Sequence, residues 1–297
     1  MKKKILKSIG LVLGVLVLII VGYVIHVFTS YYRIENKINI EVENTALLEV
    51  VDVTNEYTIS TYNVGFGAHS QNFTFFMDSG ETQDGVATQG KWSKARSKEE
   101  VLFNTNGVVS TIKELSPDFC LFQEVDTYAT RSHYVNQYQM IKEGLPNYSS
   151  TFALNFHSTY LAYPFHDMHG SVQAGLVTAS RFKIQNATRY TLTVADDFSK
   201  FFDLDRCFVA NEFNTINDNK LIVEYTFEIG IFKRRWFDSI DKEKIKLNKL
   251  SKKILRIFNY NELLYYNKKT QANARIFLSN NFYKIYKSVA DGASLIS

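Results

Sequence analysis

Hydrophobic and polar positions divide the chain into unlike stretches. From Ile9 to Phe28 nearly every residue is apolar, broken only by Gly10, Gly14, Gly22 and His26. Such a run predicts a helix, and about 20 apolar residues suffice to cross a bilayer. From Tyr32 to about Asn55 the pattern is mixed and polar, predicting a connector with one edge strand in "ALLEVVDV". From Tyr57 it changes again. "YTISTYNVG" alternates β-formers before Gly65 and Gly67, which predicts a core strand opening into a glycine loop. A polar stretch of about thirty residues follows without any period and reads as a long loop, a length that in compact domains is often functional. Val101, Leu102, Val108, Val109, Ile112 and Leu115 then recur at helical spacing until Pro117 stops the helix. Phe119 to Phe122 are consecutive apolar residues, as expected of a strand buried on both faces, and Gln123 and Glu124 end it.

Charge gives the apolar run a direction. Lys2, Lys3, Lys4 and Lys7 precede it and few basic residues follow closely, which places the N-terminus in the cytoplasm and the body outside. A cleaved signal peptide has a shorter core and a small-x-small site, so an uncleaved anchor is expected. The resulting division is 1–8 cytoplasmic, 9–29 anchor, 30–55 juxtamembrane linker, 56–223 main domain and 224–297 tail. With 45% hydrophobic and 22% charged residues over 297 positions, the chain is globular in character. Cys120 and Cys207 lie in apolar runs and read as small buried hydrophobes.

Candidate chemistry is concentrated in two places. Glu124 stands at the mouth of a buried strand, where a carboxylate is well placed for a hard cation. Taken alone, a Gln-Glu pair is more often a solvated strand end. The second place is "NFHSTYLAYPFHDMHG", with His157, His166, Asp167 and His169. His-x-x-His with an Asp between is a ligand-rich spacing. No predicted helix puts His166 and His169 on one face, however, and the histidines are read as loop and substrate-rim residues.

Four segments, in order, carry a resemblance: "ISTYNVGFG" (Ile59 to Gly67), "SPDFCLFQEVD" (Ser116 to Asp126), "QAGLVTASRFKI" (Gln173 to Ile184) and "DRCFVANEFNTINDNKLIV" (Asp205 to Val223). Together they resemble the first part of the endonuclease/exonuclease/phosphatase superfamily, the DNase I-like fold. That resemblance implies an α/β fold of two face-to-face sheets in a four-layer sandwich; the fold is expected to be incomplete in its C-terminal half, and the apolar run adds a transmembrane helix before it. It implies hydrolysis of phosphodiesters or phosphomonoesters with Mg²⁺, or with Mn²⁺ or Ca²⁺. It also implies that Asn63 contacts the metal-bound phosphate region as a catalytic residue and that Glu124 ligates the metal. The expected partners are the membrane, through the N-terminal helix, and a nucleic acid, phospholipid or inositol phosphate substrate. The chain is read as a monomer.

The resemblance stops at Val223. The superfamily's Asn-Thr-His-Leu, Gly-Asp-Phe-Asn and Ser-Asp-His strings do not occur after it, and the remaining stretch contains no His, Pro or Cys. From Glu224 onward there are 15 basic and 7 acidic residues, against 15 basic and 23 acidic from Ser30 to Val223. Such asymmetry suggests an anionic partner for the basic part. Ile245, Leu247, Leu250, Ile254, Leu255 and Ile257 are consistent with a basic amphipathic helix. A different reading is an out-of-frame tail: codons for Glu-Tyr-Thr-Phe-Glu, shifted by one base, can encode Asn-Thr-His-Leu. Three classes therefore compete: an anchored phosphoesterase, a truncated relative without turnover, and a surface protein with a basic binding tail.

Overall fold

The computed structural model describes residues 2–81, 85–192, 204–216, 220–227 and 272–278. The apolar run forms one helix, α1 (Lys2–Ser30). It is exposed over most of its length, with Val27 the buried exception, and is long and apolar enough to cross a membrane. Helices that are hydrophobic all round belong in a protein core or in lipid. No protein core surrounds this one among the described residues.

The body is built from β1 (Lys37–Asn39), β2 (Val42–Glu43), β3 (Ile59–Asn63), β4 (Ser79–Glu81), β5 (Ala87–Gln89), α2 (Lys98–Leu115), β6 (Phe119–Asp126), α3 (Gln137–Gly144), β7 (Ser149–Leu161), β8 (Gly170–Ser180), β9 (Asn186–Thr191), β10 (Cys207–Asn214), β11 (Lys220–Phe227) and β12 (Ala272–Leu278). One sheet has the order β1-β9-β10-β11-β12, the other β2-β7-β8-β6-β3, and β4 pairs with β5 in a small hairpin. The two large sheets pack face to face. Phe119, Leu121, Ala153 and Leu176 from the second sheet share a core with Ala187, Cys207, Val209, Phe213 and Leu221 from the first. On the outer face of the second sheet, Cys120, Phe122 and Val177 meet Val108, Val109 and Ile112 of α2 and Ile141 of α3. Alternate residues of β6 thus feed two different cores, which is why its apolar run is continuous.

Helix α2 begins and ends where the sequence predicts. The Ser97 hydroxyl accepts a hydrogen bond from the Glu100 amide at 3.2 Å, and Glu99 and Glu100 lie in the first turn, where carboxylates favour the helix dipole. At the other end Ser116 is left-handed (φ 46°) and Pro117 follows. Leu115, counted with the apolar face, is exposed. This helix is the crossover between β3 and β6, which run parallel with Asn63 opposite Gln123. Parallel strands bring both C-terminal ends to the same edge of the sheet.

Three expectations change. The strand at Ile59 to Asn63 is an edge strand among the described residues, half-exposed rather than central, because only β6 pairs with it. The edge strands of the supposed connector lie upstream of "ALLEVVDV". β1 joins the first sheet through β9 and β2 the second through β7, whereas Leu48 and Val51 make only isolated bridges. Strand β6 does not end at Gln123 and Glu124; it continues to Asp126 through an irregularity between Phe122 and Val125. The expected hairpin after Asp205 is present as β10 and β11, and β11 runs straight across Val223 and Glu224 to Phe227. A fourth layer and the amphipathic helix around Ile245 to Ile257 concern residues outside the described ones.

Candidate active site

The site forms where β3 and β6 end together. Asn63 closes β3, and its side-chain NH₂ donates to Glu124 Oε1 at 2.9 Å. The Asn63 carbonyl oxygen in turn accepts from the Gly65 amide at 2.8 Å. Asn63 therefore orients the carboxylate while its own rotamer is held by the backbone.

Glu124 has φ 51° and sits in the β6 irregularity, half-buried in an otherwise buried strand. A left-handed Glu costs on the order of 1–3 kcal/mol and persists only when its surroundings impose it. Bulges of this kind re-aim a side chain. Here the bulge turns Glu124 toward Asn63, whereas Gln123 stays buried and donates to Thr61 at 2.8 Å.

The chain after Asn63 makes a tight 3₁₀ turn, Gly65–Gly67, in which Gly65, Phe66 and Gly67 all have positive φ. A Cβ at Gly65 would lie 2.1 Å from the His69 ring, so glycine is required for both space and conformation. Phe66 is buried, and the Arg131 guanidinium lies 4.3 Å from its ring centroid. Such cation–π contacts are strongest when desolvated.

Arg131 itself is buried and makes a two-pronged contact with the fully buried Asp126, the shortest distance being 2.7 Å. Burial works against the guanidinium charge, but Asp126 and, more distantly, Glu124 outweigh it and leave Arg131 more firmly protonated than usual. Arg131 is thus paired with Asp126, and among the described residues Glu124 has no ion-pair partner of its own. Gln137 supports the same turn, accepting from the Asp126 amide at 3.0 Å and donating to Thr105 at 2.9 Å.

The histidines have separate fates. His169 is buried, and its Nδ1 donates to the Ser93 carbonyl at 2.9 Å, which leaves Nε2 with the lone pair. Burial, reinforced by the positive charge of Arg131, pushes its pKa down to about 4. His166, three residues earlier, is exposed. Asp167 between them is occupied by Lys94 at 3.1 Å and by the Ser93 amide at 2.8 Å, and these contacts overcome its burial to hold the carboxyl below its ordinary value. The His-x-x-His spacing thus does not converge. His157 lies on β7 rather than in a loop; it contacts Asp205 at 2.5 Å and stacks on Tyr32 with ring centroids 4.0 Å apart.

Among the described residues no group of three or more His, Cys, Asp or Glu converges on one point. Glu124 and Asn63 still suit a hard dication in kind, because Mg²⁺ takes oxygen ligands and needs only one or two carboxylates, with water and substrate phosphate completing its shell. Both cysteines are buried outside any disulfide, their thiols pushed up by burial to about 12 for Cys120 and about 11 for Cys207, so neither is a nucleophile at neutral pH.

Asp126, Arg131, Gln137 and Ser93 escaped the sequence reading. The one local sign was the acid–base pair Asp126 and Arg131 on either side of a turn, a spacing common in any loop.

No family model matches the chain, and no curated protein does. Solved structures similar to it include the following two. One is an endonuclease/exonuclease/phosphatase from Beutenbergia cavernae DSM 12333, at 14% identity and a TM-score of 0.38, covering 58% of this chain and 38% of that one. The other is ANGEL2, a 2',3'-cyclic phosphatase, at 12% identity and a TM-score of 0.37, covering 66% of this chain and 46% of that one. The chain spans less than half the length of either structure.

Proposed function

We propose that this chain is a membrane-anchored protein of the endonuclease/exonuclease/phosphatase type that carries the metal-binding half of a phosphoester hydrolase site. The observation that supports this is the Asn63–Glu124 hydrogen bond at the shared end of two parallel strands, with Glu124 held at φ 51° by the bulge in β6. Glu124 would hold Mg²⁺ and Asn63 would position Glu124. A divalent ion at this place neutralises phosphoryl charge when bound. His166, exposed on the loop after β7, and His169 beside Phe76 are proposed as substrate-rim residues, and the same role for His157, on β7 against Asp205, rests on the sequence reading alone. The buried neutral His169 offers a bare nitrogen rather than a positive charge.

Turnover by the chain as it stands is expected to be weak or absent. Phosphoester hydrolysis requires several preorganised groups acting as a unit, and removing one typically costs orders of magnitude in rate. The strings that would supply a base and further ligands are missing after Val223. The helix α1 is read as an uncleaved anchor with the body outside, from the lysines that precede it.

Titration of Mn²⁺ or Mg²⁺ onto the detergent-solubilised chain tests the site independently of rate. Glu124→Gln should abolish saturable binding, and His166→Ala should leave it within about twofold on the general tolerance of exposed positions. Equal binding by Glu124→Gln and the wild type would remove Glu124 from the site. The same preparations assayed on bis(p-nitrophenyl) phosphate should show little or no hydrolysis.

A further inference from the structure

The outer end of α1 is fastened to the body. The Tyr23 hydroxyl donates to the Tyr160 carbonyl at 3.1 Å and accepts from the Ala162 amide at 3.2 Å. Val27, one turn further along α1, is buried. These contacts tie the tip of the β7–β8 hairpin to a level on the helix about 7 Å short of Phe28, at 1.5 Å per residue. If Ile9 to Phe28 crosses the hydrocarbon, that level lies inside its outer boundary. If Tyr23 itself marks the boundary, as interfacial tyrosines do, that level is the headgroup layer. In either case the hairpin tip reaches the bilayer, and the Tyr23 hydroxyl satisfies two of its backbone groups where water is scarce.

The residues around that tip suit such a place. Phe165 is 80% exposed, Tyr163 62% and Met77 69%, with Tyr160 also exposed. The rings of Phe76, Tyr163 and Phe165 form a chain with centroids 5.9 and 6.3 Å apart. Contiguous exposed aromatic surface of this kind marks an interaction site. Its continuity with the membrane helix, through the Tyr23 bonds, decides which kind.

We infer that the loop from Tyr160 to Met168, together with Met77, is seated in the lipid headgroup layer beside α1, as a second point of membrane contact. The His169 ring lies tilted beside Phe76, with centroids 6.0 Å apart, so this contact brings the proposed substrate rim to the membrane surface. The inference rests on the reading of α1 as an anchor.

The test uses the full chain in phosphatidylcholine and phosphatidylglycerol vesicles. An environment-sensitive fluorophore is attached at Phe165→Cys or, in separate samples, at Tyr163→Cys, Phe103→Cys and Leu16→Cys; the native Cys120 and Cys207 are buried and do not compete for label. Phe103 is an exposed position on α2, and Leu16 lies mid-helix in α1. With nitroxide-bearing lipids, the labels at 165, 163 and 16 should lose most of their emission and the label at 103 almost none. Loss at Leu16 without loss at 165 and 163 overturns the loop contact and leaves the anchor standing. No loss at Leu16 overturns the anchor and this inference with it. A blue shift at 165 without loss means that protein covers the loop, and equal loss at 103 means unspecific adsorption; each overturns the inference.

Discussion

At the scale of single residues, the chemistry is set by which charges have partners. Asp126 and Arg131 neutralise each other in the core, Asp167 is held by Lys94 and Ser93, and Asp205 faces His157. Among the described residues Glu124 accepts from the neutral Asn63 and makes no ion pair, which suits it to a cation. His169 gives a prediction with a definite sign. Its pKa is lowered to about 4 in the fold, so between that value and the ordinary 6.5 the unfolded chain binds a proton that the folded chain does not. Stability attributable to the neutral imidazole is fully present above about 6.5 and is lost as the pH falls toward 4. The loss is on the order of 3–4 kcal/mol at most, from about 1.4 kcal/mol per pKa unit. Urea unfolding in detergent at pH 7.5, 6.0 and 5.0 should show this decline, and His169→Gln should flatten it.

At the scale of elements, the site depends on two strand irregularities on either side of one glycine. Gly175 of β8 pairs with Val125 just after the β6 bulge and with Leu154 just before an irregularity in β7. A Cβ there would lie 2.3 Å from the Ala153 carbonyl and 2.6 Å from the Phe152 ring. The backbone of a central strand has nowhere to move, so Gly175→Ala should cost about 1–3 kcal/mol as overpacking and disturb the bulge that aims Glu124. Gly107 in α2 is the contrast. Nothing lies within 4 Å of its added Cβ, and Gly107→Ala should stabilise the chain by roughly 0.4–1 kcal/mol through helix propensity and the unfolded state. Chemical denaturation of both variants checks the pair, and opposite signs are the expected result.

At the scale of the whole molecule, the two sheets, the layer of α2 and α3 and the helix α1 form a frame that brings one strand-end site close to the hairpin tip. The segment from Lys37 to Glu43 takes part in both sheets, which couples the approach from α1 to the body. The reading frame beyond Val223 is a further prediction. Sequencing of the gene at codon 224 should show GAA TAC ACA followed by a TTT codon, whose one-base shift reads Asn-Thr-His-Leu. Restoring that frame should yield Mg²⁺-dependent hydrolysis of bis(p-nitrophenyl) phosphate at a rate well above that of the 297-residue chain. Codons that read otherwise in the shifted frame would make the basic stretch a true part of the protein.

Much of this was legible in one dimension. The anchor-like helix, the extent of α2, the doubly buried run of β6 and Glu124 at its end follow from periodicity and stop signals, which are properties of neighbouring residues, whereas Asn63 as a candidate and the β10–β11 hairpin came from the family resemblance of short motifs. The remainder was decided by contacts between distant parts. Asn63 and Glu124 are 61 positions apart and meet only because β3 and β6 run parallel in one register. The left-handed Glu124 sits in the irregularity where β6 shifts register against β8. His157, His166 and His169 look alike in sequence, yet one pairs with Asp205, one is exposed and one is buried against Ser93. Residue type and spacing say what a side chain is able to do; its partners and burial, which exist only in the folded chain, decide what it does.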